Sequence, residues 1–192
     1  MNFFKMLFAV VGATVLLGAL VSSASAGRLS NSGTTINATW TTMRFSGGIG
    51  TWECEVILNG TLDSRSLTKT SGTLMGFITA GSVNRCARGG ETILRETLPW
   101  HIRYVSFAGT LPAISSIRTI ALGFSFRIRE PTFGIECLSR SRVEEPAGLV
   151  YNLNGSGVMT SATVGGTIRC GSFTGTLSGT SSSITAVTVT LI

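Results

Sequence analysis

The feature that most constrains the fold of this chain is the alternation of apolar and polar residues with a period of two. Between Arg118 and Arg129, apolar side chains occupy every second position: Ile120, Leu122, Phe124, Phe126 and Ile128. Because successive side chains of a β-strand point to opposite faces, this pattern predicts one strand with one face in a core. The spacing typical of an amphipathic helix is nearly absent. The sequence therefore predicts an all-β protein.

The same alternation recurs along the chain. A second strand is predicted to place four residues on one inward face: Trp52, Cys54, Val56 and Leu58. This strand is expected to end in a tight turn at Asn59-Gly60. Further strands are predicted within residues 74–82, 101–107, 149–153, 171–177 and 187–191. About 8–11 short strands without helical blocks indicate antiparallel sheets, arranged either as a β-sandwich or as a closed β-barrel.

The N-terminus has the three parts of a secretory signal peptide. Lys5 precedes an apolar stretch over residues 6–21, and Ala24-Ser25-Ala26 forms a small-residue cleavage site. The stretch is shorter than the roughly 20 residues of a membrane-spanning helix. We therefore expect a signal peptide over residues 1–26, a flexible leader over 27–35, and a single β domain over 36–192. The expected location is secreted, periplasmic or on the outer cell surface, with no transmembrane span after cleavage.

Four cysteines follow the predicted signal peptide: Cys54, Cys86, Cys137 and Cys170. An even number of cysteines in an exported chain predicts disulfide bonds. Three pairings are possible, and we favour Cys54–Cys86 with Cys137–Cys170 because each closes a local loop. No Cys-x-x-Cys motif is present and the chain has one histidine, so we expect no bound metal.

Charge and side-chain chemistry favour a protein that binds a partner over one that catalyses a reaction. The chain has 15 basic and 9 acidic residues, and nearly all of the cations are arginine. This balance favours anionic partners. The sequence contains no run of cations of the kind that indicates nucleic-acid binding, so we expect no nucleic-acid partner. His101 lacks a Gly-x-Ser-x-Gly nucleophile motif. Several glutamates fit either the pair of carboxylates used in glycoside hydrolysis or solvated strand faces, and we favour the second: Glu53, Glu55, Glu91, Glu96, Glu130 and Glu136. We expect no catalytic residue and no cofactor.

Five residues are predicted to contact a ligand or a partner surface: Trp100, His101, Arg103, Arg127 and Arg129. Trp100 follows Pro99 and could either pack in the core or stack on a ligand. Arg127 and Arg129 share one strand face and could bind a carboxylate or phosphate, or be solvated.

The order of landmarks along the chain resembles a known family. Cys54 lies on a strand before Asn59-Gly60-Thr61, Cys86 precedes Leu98-Pro99-Trp100, and Cys137 precedes a Cys170-Gly-Ser-Phe-Thr-Gly-Thr-Leu segment. This order resembles the small exported bacterial proteins grouped with the protein activator of alkane oxidation, over Cys54 to Ile192. The chain differs in being longer and richer in arginine between Trp100 and Cys137. The resemblance implies an exported, non-enzymatic protein linked to growth on hydrocarbons or to the cell surface.

Two functions follow as expectations. The first is a non-catalytic bacterial envelope or extracellular protein that acts through surface interactions, as an adhesin, matrix or assembly component. Its partner would be a cell-surface component or a second copy of the chain. The alternative is a β-barrel that binds an apolar or amphiphilic small molecule such as a hydrocarbon or lipid, because an apolar strand face can line a cavity as well as fill a core.

Overall fold

The computed structural model describes residues 28–48, 50–88, 90–110, 113–130, 132, 134–141 and 143–192, with only the backbone described at Cys170. The predicted signal peptide over residues 1–26 lies outside the described residues. The elements are β1 (Arg28–Asn31), β2 (Thr35–Gly47), β3 (Gly50–Leu62), β4 (Ser66–Thr68), β5 (Leu74–Cys86), β6 (Gly90–Ile93), a 3₁₀ helix (Arg95–Thr97), β7 (Trp100–Thr110), β8 (Ala113–Leu122), β9 (Ser125–Arg129), β10 (Glu136–Arg140), β11 (Ala147–Leu153), β12 (Met159–Cys170), β13 (Phe173–Thr180), β14 (Ser183–Ile184) and β15 (Val189–Leu191).

Eight strands form a sheet that closes on itself. The hydrogen-bonded order runs β2, β3, β5, β7, β8, β11, β12 and β13, and β13 then pairs with β2. All neighbours are antiparallel, and the closing pair places Leu177 opposite Phe45. The short strand β14 pairs with the first half of β2. The prediction of an antiparallel all-β fold is confirmed, and of the two expected arrangements the structure shows the closed barrel.

The closing seam depends on glycine. A Cβ atom on Gly175 would lie 2.2 Å from the carbonyl oxygen of Ser46 and 3.0 Å from the Cα atom of Gly47. Real Cβ atoms do not approach other atoms this closely, so β13 can approach β2 in this way only because residue 175 has no side chain.

Two small antiparallel sheets lie at the two ends of the barrel. End sheet I has the order β15-β1-β4, and end sheet II has the order β10-β9-β6. End sheet I lies where β2 begins and β3 ends, because Asn31 bonds the backbone of Arg65 and Leu62 bonds the backbone of Thr34. End sheet II follows β8 directly and packs at the opposite end, where β2 ends and β7 begins.

Aromatic rings join end sheet II to the barrel core. The ring of Phe126 lies 5.0 Å from that of Phe45 and 5.8 Å from that of Trp100, and Phe124 lies 4.6 Å from Trp100. The indole nitrogen of Trp100 donates a hydrogen bond of 2.8 Å to Thr97. All four rings are buried, so the barrel and its end sheet share one continuous core.

The predicted strand from Arg118 to Arg129 is wrong as a single element. The chain turns at Gly123, whose φ of 84° lies in the left-handed region that favours glycine. Before this turn the buried residues of β8 include Thr119 and Ala121, whereas Ile120 is only partly buried. After it, β9 belongs to end sheet II and buries Phe126 and Ile128. The turn therefore divides one alternating pattern between two sheets.

The predicted turn at Asn59-Gly60 is also wrong, because β3 continues through both residues. The register with β5 shifts at this point instead. A Cβ atom on Gly60 would lie 2.7 Å from the carbonyl oxygen of Phe77. Glycine here permits a close approach of two backbones within a bulge rather than a chain reversal.

Residues 28–35 are not the flexible leader that the polar sequence indicates. Arg28–Asn31 forms the central strand of end sheet I, paired with β15 on one side and β4 on the other. Leu29 is fully buried. One apolar side chain and pairing with two strands distant in sequence are enough to order this segment, and neither partner is visible in the local sequence.

The structure confirms the predicted disulfide Cys54–Cys86. The two residues lie directly opposite each other on β3 and β5. Cys137 is also disulfide-bonded, and its Sγ lies 3.8 Å from the carbonyl oxygen of Arg169. Because the side chain of Cys170 lies outside the described atoms, the pairing Cys137–Cys170 stays a prediction.

Candidate functional site

The outer face of end sheet II carries a group of exposed arginines, which we call the arginine face. It consists of Arg127 and Arg129 on β9 with Leu138 and Arg140 on β10. In the antiparallel register Arg127 lies opposite Leu138. Because residues directly opposite each other point to the same side of a sheet, all four side chains share one face. The other face of the same strands is turned to the core through Phe126 and Ile128.

The charge of this face is open to solvent. Within the described part of the chain, no salt bridge involves Arg127, Arg129 or Arg140, and all three are exposed. Glu136 lies opposite Arg129 and is the acidic residue on the same face. Leu138 is 51% exposed between the arginines. The face therefore combines an excess of positive charge with one apolar side chain. Its arginines can bind an anionic group by donating charge-assisted hydrogen bonds to it.

Some other arginines of the described chain are paired with carboxylates. Arg44 lies 3.1 Å from Glu53, and Arg169 binds both carboxylate oxygens of Glu145. Hydrogen bonding and charge from Glu145 raise the pKa of Arg169 above its ordinary value. These arginines are less available to a partner than those of the arginine face.

The structure does not bring the five predicted contact residues together. Arg127 and Arg129 lie on the arginine face, whereas His101 and Arg103 lie on the outer side of β7 in the barrel wall. His101 is exposed and packs edge-on against Phe77, with 5.4 Å between ring centroids. Arg103 donates a hydrogen bond of 2.8 Å to the carbonyl oxygen of Gly72.

The structure places Trp100 away from the surface, so it cannot make the predicted surface contact, while a ligand contact of this residue stays a prediction. Its side chain is fully buried. The alternation of β7 turns Trp100, Ile102 and Tyr104 inward, so the tryptophan is part of the core. A contact made by His101 or Arg103 stays a prediction.

The carboxylates of the barrel wall are engaged in polar contacts. Glu55 accepts a hydrogen bond of 2.8 Å from Asn84 and lies 3.8 Å from Arg85. Glu53 is paired with Arg44 on the same outer face. Both glutamates therefore belong to a solvated strand face whose carboxylates have polar partners. In the part of the chain that the structure describes, His101 has no side-chain hydrogen bond or ion pair.

A second region of interest surrounds the disulfide Cys54–Cys86. A shallow, open depression of about 400 Å³ lies on the barrel wall, lined by Thr41, Thr42, Glu53, Glu55, Arg85, Cys86 and Ala87. Cys54 is buried, whereas Cys86 is partly exposed. On the inner side of the disulfide lies Glu91 of β6, whose carboxylate and the two sulfur atoms are all within 4.8 Å of one another.

Glu91 is an unusual carboxylate. It is 4% exposed, and in the described part of the chain neither carboxylate oxygen has a hydrogen-bond partner. Loss of hydration in this apolar setting raises the pKa of Glu91 from its ordinary value of 4.5 to about 8. The carboxyl group is therefore largely neutral at pH 7. Because the two sulfurs are bonded to each other, these three residues do not offer the thiolates that a metal ion would need.

One cavity inside the described part of the barrel is small. It lies near end sheet I, has a volume of about 30 Å³ and is lined mainly by apolar residues that include Ile36, Trp40, Leu58, Leu149 and Tyr151. This volume is of the order of one water molecule, whereas small-molecule pockets measure about 300–1,000 Å³. A hydrocarbon or lipid does not fit this cavity unless the lining side chains move.

No family model, curated protein or solved structure matches the chain. Across the residues that the structure describes, there is no helix with the length and apolar character required to cross a membrane.

Sequence reasoning missed two residues of these regions. Arg140 joins the arginine face only through the pairing of β10 with β9, which the local sequence does not indicate. Glu91 was considered only as one of several glutamates. Glu91 and Ile93 are two residues apart on β6 and therefore share one face. The apolar Ile93 on that face is the signal in the sequence that the carboxylate of Glu91 points inward.

Proposed function

We propose that this chain is a non-catalytic bacterial protein, exported to the cell envelope or the extracellular medium, that acts through surface interactions. The arginine face is its contact surface, and its partner is an anionic component of the cell surface, such as an acidic polysaccharide. The observation that supports this proposal best is the group of three exposed arginines without salt bridges in the described chain.

Three further observations are consistent with export. The sequence begins with the features of a signal peptide, and disulfides persist in oxidising compartments outside the cytoplasm. The landmarks from Cys54 to Ile192 resemble exported proteins of the alkane-oxidation activator type. Fractionation of cells that produce the chain tests this part of the proposal. We expect the protein in the envelope or the medium, and its retention in the cytoplasm would overturn it.

The geometry favours contact through side chains over strand addition. Closure pairs each barrel strand with a neighbour on both sides, and unpaired strand edges attract other strands. Available edges are therefore concentrated in the small end sheets. Self-association remains testable by light scattering, and oligomers that persist after the arginine face is changed would assign the contact to another surface.

The binding test compares two double variants of equal net charge. Arg127→Gln with Arg129→Gln removes two charges from the arginine face, and Arg65→Gln with Arg118→Gln removes two exposed charges elsewhere. Immobilised alginate is the acidic probe and dextran the neutral control. We expect the first variant to bind alginate about tenfold more weakly, which corresponds to about 1.4 kcal/mol.

The control variant is expected to bind nearly as well as the unchanged protein, and binding should weaken as salt screens the charges. An equal loss in both variants would show that total charge matters and would overturn the assignment to this face. Binding to dextran as strong as to alginate would overturn the anionic partner.

A further inference from the structure

We propose that Asn154 is a self-modification site, at which the side-chain amide is lost as ammonia and an aspartyl or isoaspartyl residue is formed. This reaction is independent of binding at the arginine face. Three observations at the turn between β11 and β12 carry the proposal. They are an exposed Asn154-Gly155 pair, two backbone N–H groups bound to the amide oxygen of Asn154, and an N–H of Gly155 that bonds no group of the described chain.

The Asn154-Gly155 pair lies at the tip of a hairpin. Asn154, Gly155 and Ser156 are all exposed, between the end of β11 at Leu153 and the start of β12 at Met159. Glycine has no Cβ atom to hinder the approach of its own nitrogen to the preceding side chain. Because its N–H has no hydrogen-bond partner in the described chain, the nitrogen of Gly155 is available to attack once it has lost its proton.

The amide oxygen of Asn154 is held where negative charge develops during such an attack. Oδ1 accepts hydrogen bonds of 3.0 Å from the N–H of Ser156 and of 3.0 Å from the N–H of Val158. Both donors follow Gly155 in the chain, so the side chain is folded back over the turn. Addition to Cγ converts Oδ1 into an oxyanion, and N–H groups about 2.7–3.1 Å away stabilise it.

The leaving group of the reaction is the amide nitrogen of Asn154. The hydrogen bonds of this side chain within the described chain are made by Oδ1 and not by Nδ2. The turn therefore binds the oxygen that gains charge and leaves the departing nitrogen in solvent, where water can supply the proton that it needs.

The reaction balances with water as the co-reactant. Hydroxide removes the proton from the backbone nitrogen of Gly155, and that nitrogen forms a bond to Cγ of Asn154. The bond from Cγ to Nδ2 breaks, Nδ2 takes a proton and ammonia leaves, which produces a cyclic succinimide. Water then opens the ring. Cleavage of the new bond to Cγ gives aspartate, whereas cleavage at the backbone carbonyl gives isoaspartate. No oxidation or reduction takes place.

The chain contains a second asparagine–glycine pair in a different setting. Asn59 and Gly60 lie inside β3, which pairs with β2 on one side and with β5 on the other at these residues. Ring closure would turn their shared peptide out of both ladders, and the backbone of Phe77 lies close to Gly60. We therefore expect Asn59 to react about thirtyfold more slowly than Asn154, which corresponds to about 2 kcal/mol of activation free energy.

The test incubates the purified, folded protein in buffer made with ¹⁸O-labelled water and follows each asparagine by peptide mapping and mass spectrometry. We expect the peptide that contains Asn154 to lose ammonia, to gain labelled oxygen and to separate into aspartyl and isoaspartyl forms. The peptide that contains Asn59 should stay unchanged over the same period. Parallel incubation in urea removes the fold from both sites.

Unfolding should change the two rates in opposite directions. Asn59 should react faster in urea because β3 no longer holds its backbone. Asn154 should react about tenfold more slowly, because unfolding removes the two N–H donors from its oxygen. Similar rates at the two asparagines in the folded protein would overturn the site. A faster reaction of Asn154 in urea than in the folded protein would overturn the role of the two donors.

Gly155→Ala separates the mechanism from direct hydrolysis of the amide. A Cβ atom on residue 155 has no neighbour within 4 Å, so the variant should fold normally, which circular dichroism checks. We expect the rate at Asn154 to fall about tenfold, which corresponds to about 1.4 kcal/mol. Gly33→Ala, also without a neighbour within 4 Å, is the matched control and should leave the rate unchanged. Formation of aspartate without isoaspartate, at equal rates in both variants, would overturn the attack by Gly155.

Discussion

Burial of Glu91 makes a quantitative prediction about how the stability of the fold depends on pH. The carboxyl group has a pKa of about 8 in the folded protein and an ordinary value of 4.5 when the chain is unfolded. Between these values the folded state holds a proton that the unfolded state has lost. The contribution of Glu91 to the free energy of unfolding is therefore fully present below pH 4.5. It falls as the pH rises from 4.5 to 8 and is lost above pH 8.

The magnitude follows from the two pKa values. At about 1.4 kcal/mol for each pH unit, the span from 4.5 to 8 amounts to about 5 kcal/mol. This is comparable with the whole unfolding free energy of many domains, which is about 5–15 kcal/mol. The slope reaches at most about 1.4 kcal/mol per pH unit within this window and vanishes outside it.

Chemical denaturation of the oxidised protein at a series of pH values from 4 to 9.5 measures the effect. The difference in unfolding free energy between the unchanged protein and Glu91→Leu isolates Glu91, because the other titrating groups cancel. We expect the unfolding free energy of Glu91→Leu minus that of the unchanged protein to be several kcal/mol larger at pH 9 than at pH 4.

Glu96→Gln, at an exposed position on the 3₁₀ helix, is the control and should change the profile by less than about 0.5 kcal/mol. If the curves of the unchanged protein and Glu91→Leu run parallel across the whole range, Glu91 is ionised in the folded protein and the reasoning from its burial is refuted.

Three further predictions concern the core, the seam and the disulfide, each measured by equilibrium unfolding. Trp100→Ala should destabilise the fold by about 3–5 kcal/mol, because it leaves a cavity among packed aromatic rings; a loss below about 1 kcal/mol would contradict its central place in the core. Gly175→Ala should cost about 1–3 kcal/mol, because its Cβ atom would lie 2.2 Å from a backbone oxygen of the facing strand, whereas Gly165→Ala, with its nearest contact at 4.0 Å, should cost far less. Replacing Cys54 and Cys86 together by alanine should cost about 3–4 kcal/mol for a sequence separation of 32 residues, and no loss would show that the disulfide does not constrain the unfolded chain.

Much of the strand content could be predicted from the sequence, because alternation is a local consequence of strand geometry. The face of Trp52, Cys54, Val56 and Leu58 is buried as predicted. The pairing of Cys54 with Cys86 was also predictable, since neighbouring cysteines on adjacent strands are brought together by a short connection. These features depend on residues close in the chain.

Alternation alone could not show where a strand changes sheet. The residues around Gly123 keep the same period on both sides of the turn, yet β8 belongs to the barrel and β9 to end sheet II. The same limit applies to Arg28–Asn31, whose order depends on strands that begin 38 and 161 residues further along the chain. A segment with one buried leucine looks flexible until both partners are known.

The candidate regions were only partly visible in the sequence for the same reason. Alternation by itself placed Arg127 and Arg129 on one polar face, and composition indicated a cationic exported chain. Only the tertiary structure shows that Arg140 lies on that face, that Trp100 is buried in the core, and that Glu91 is buried beside the disulfide. Local sequence determines which side chains share a strand face, whereas closure of the barrel and packing of the end sheets decide which of those faces meet water.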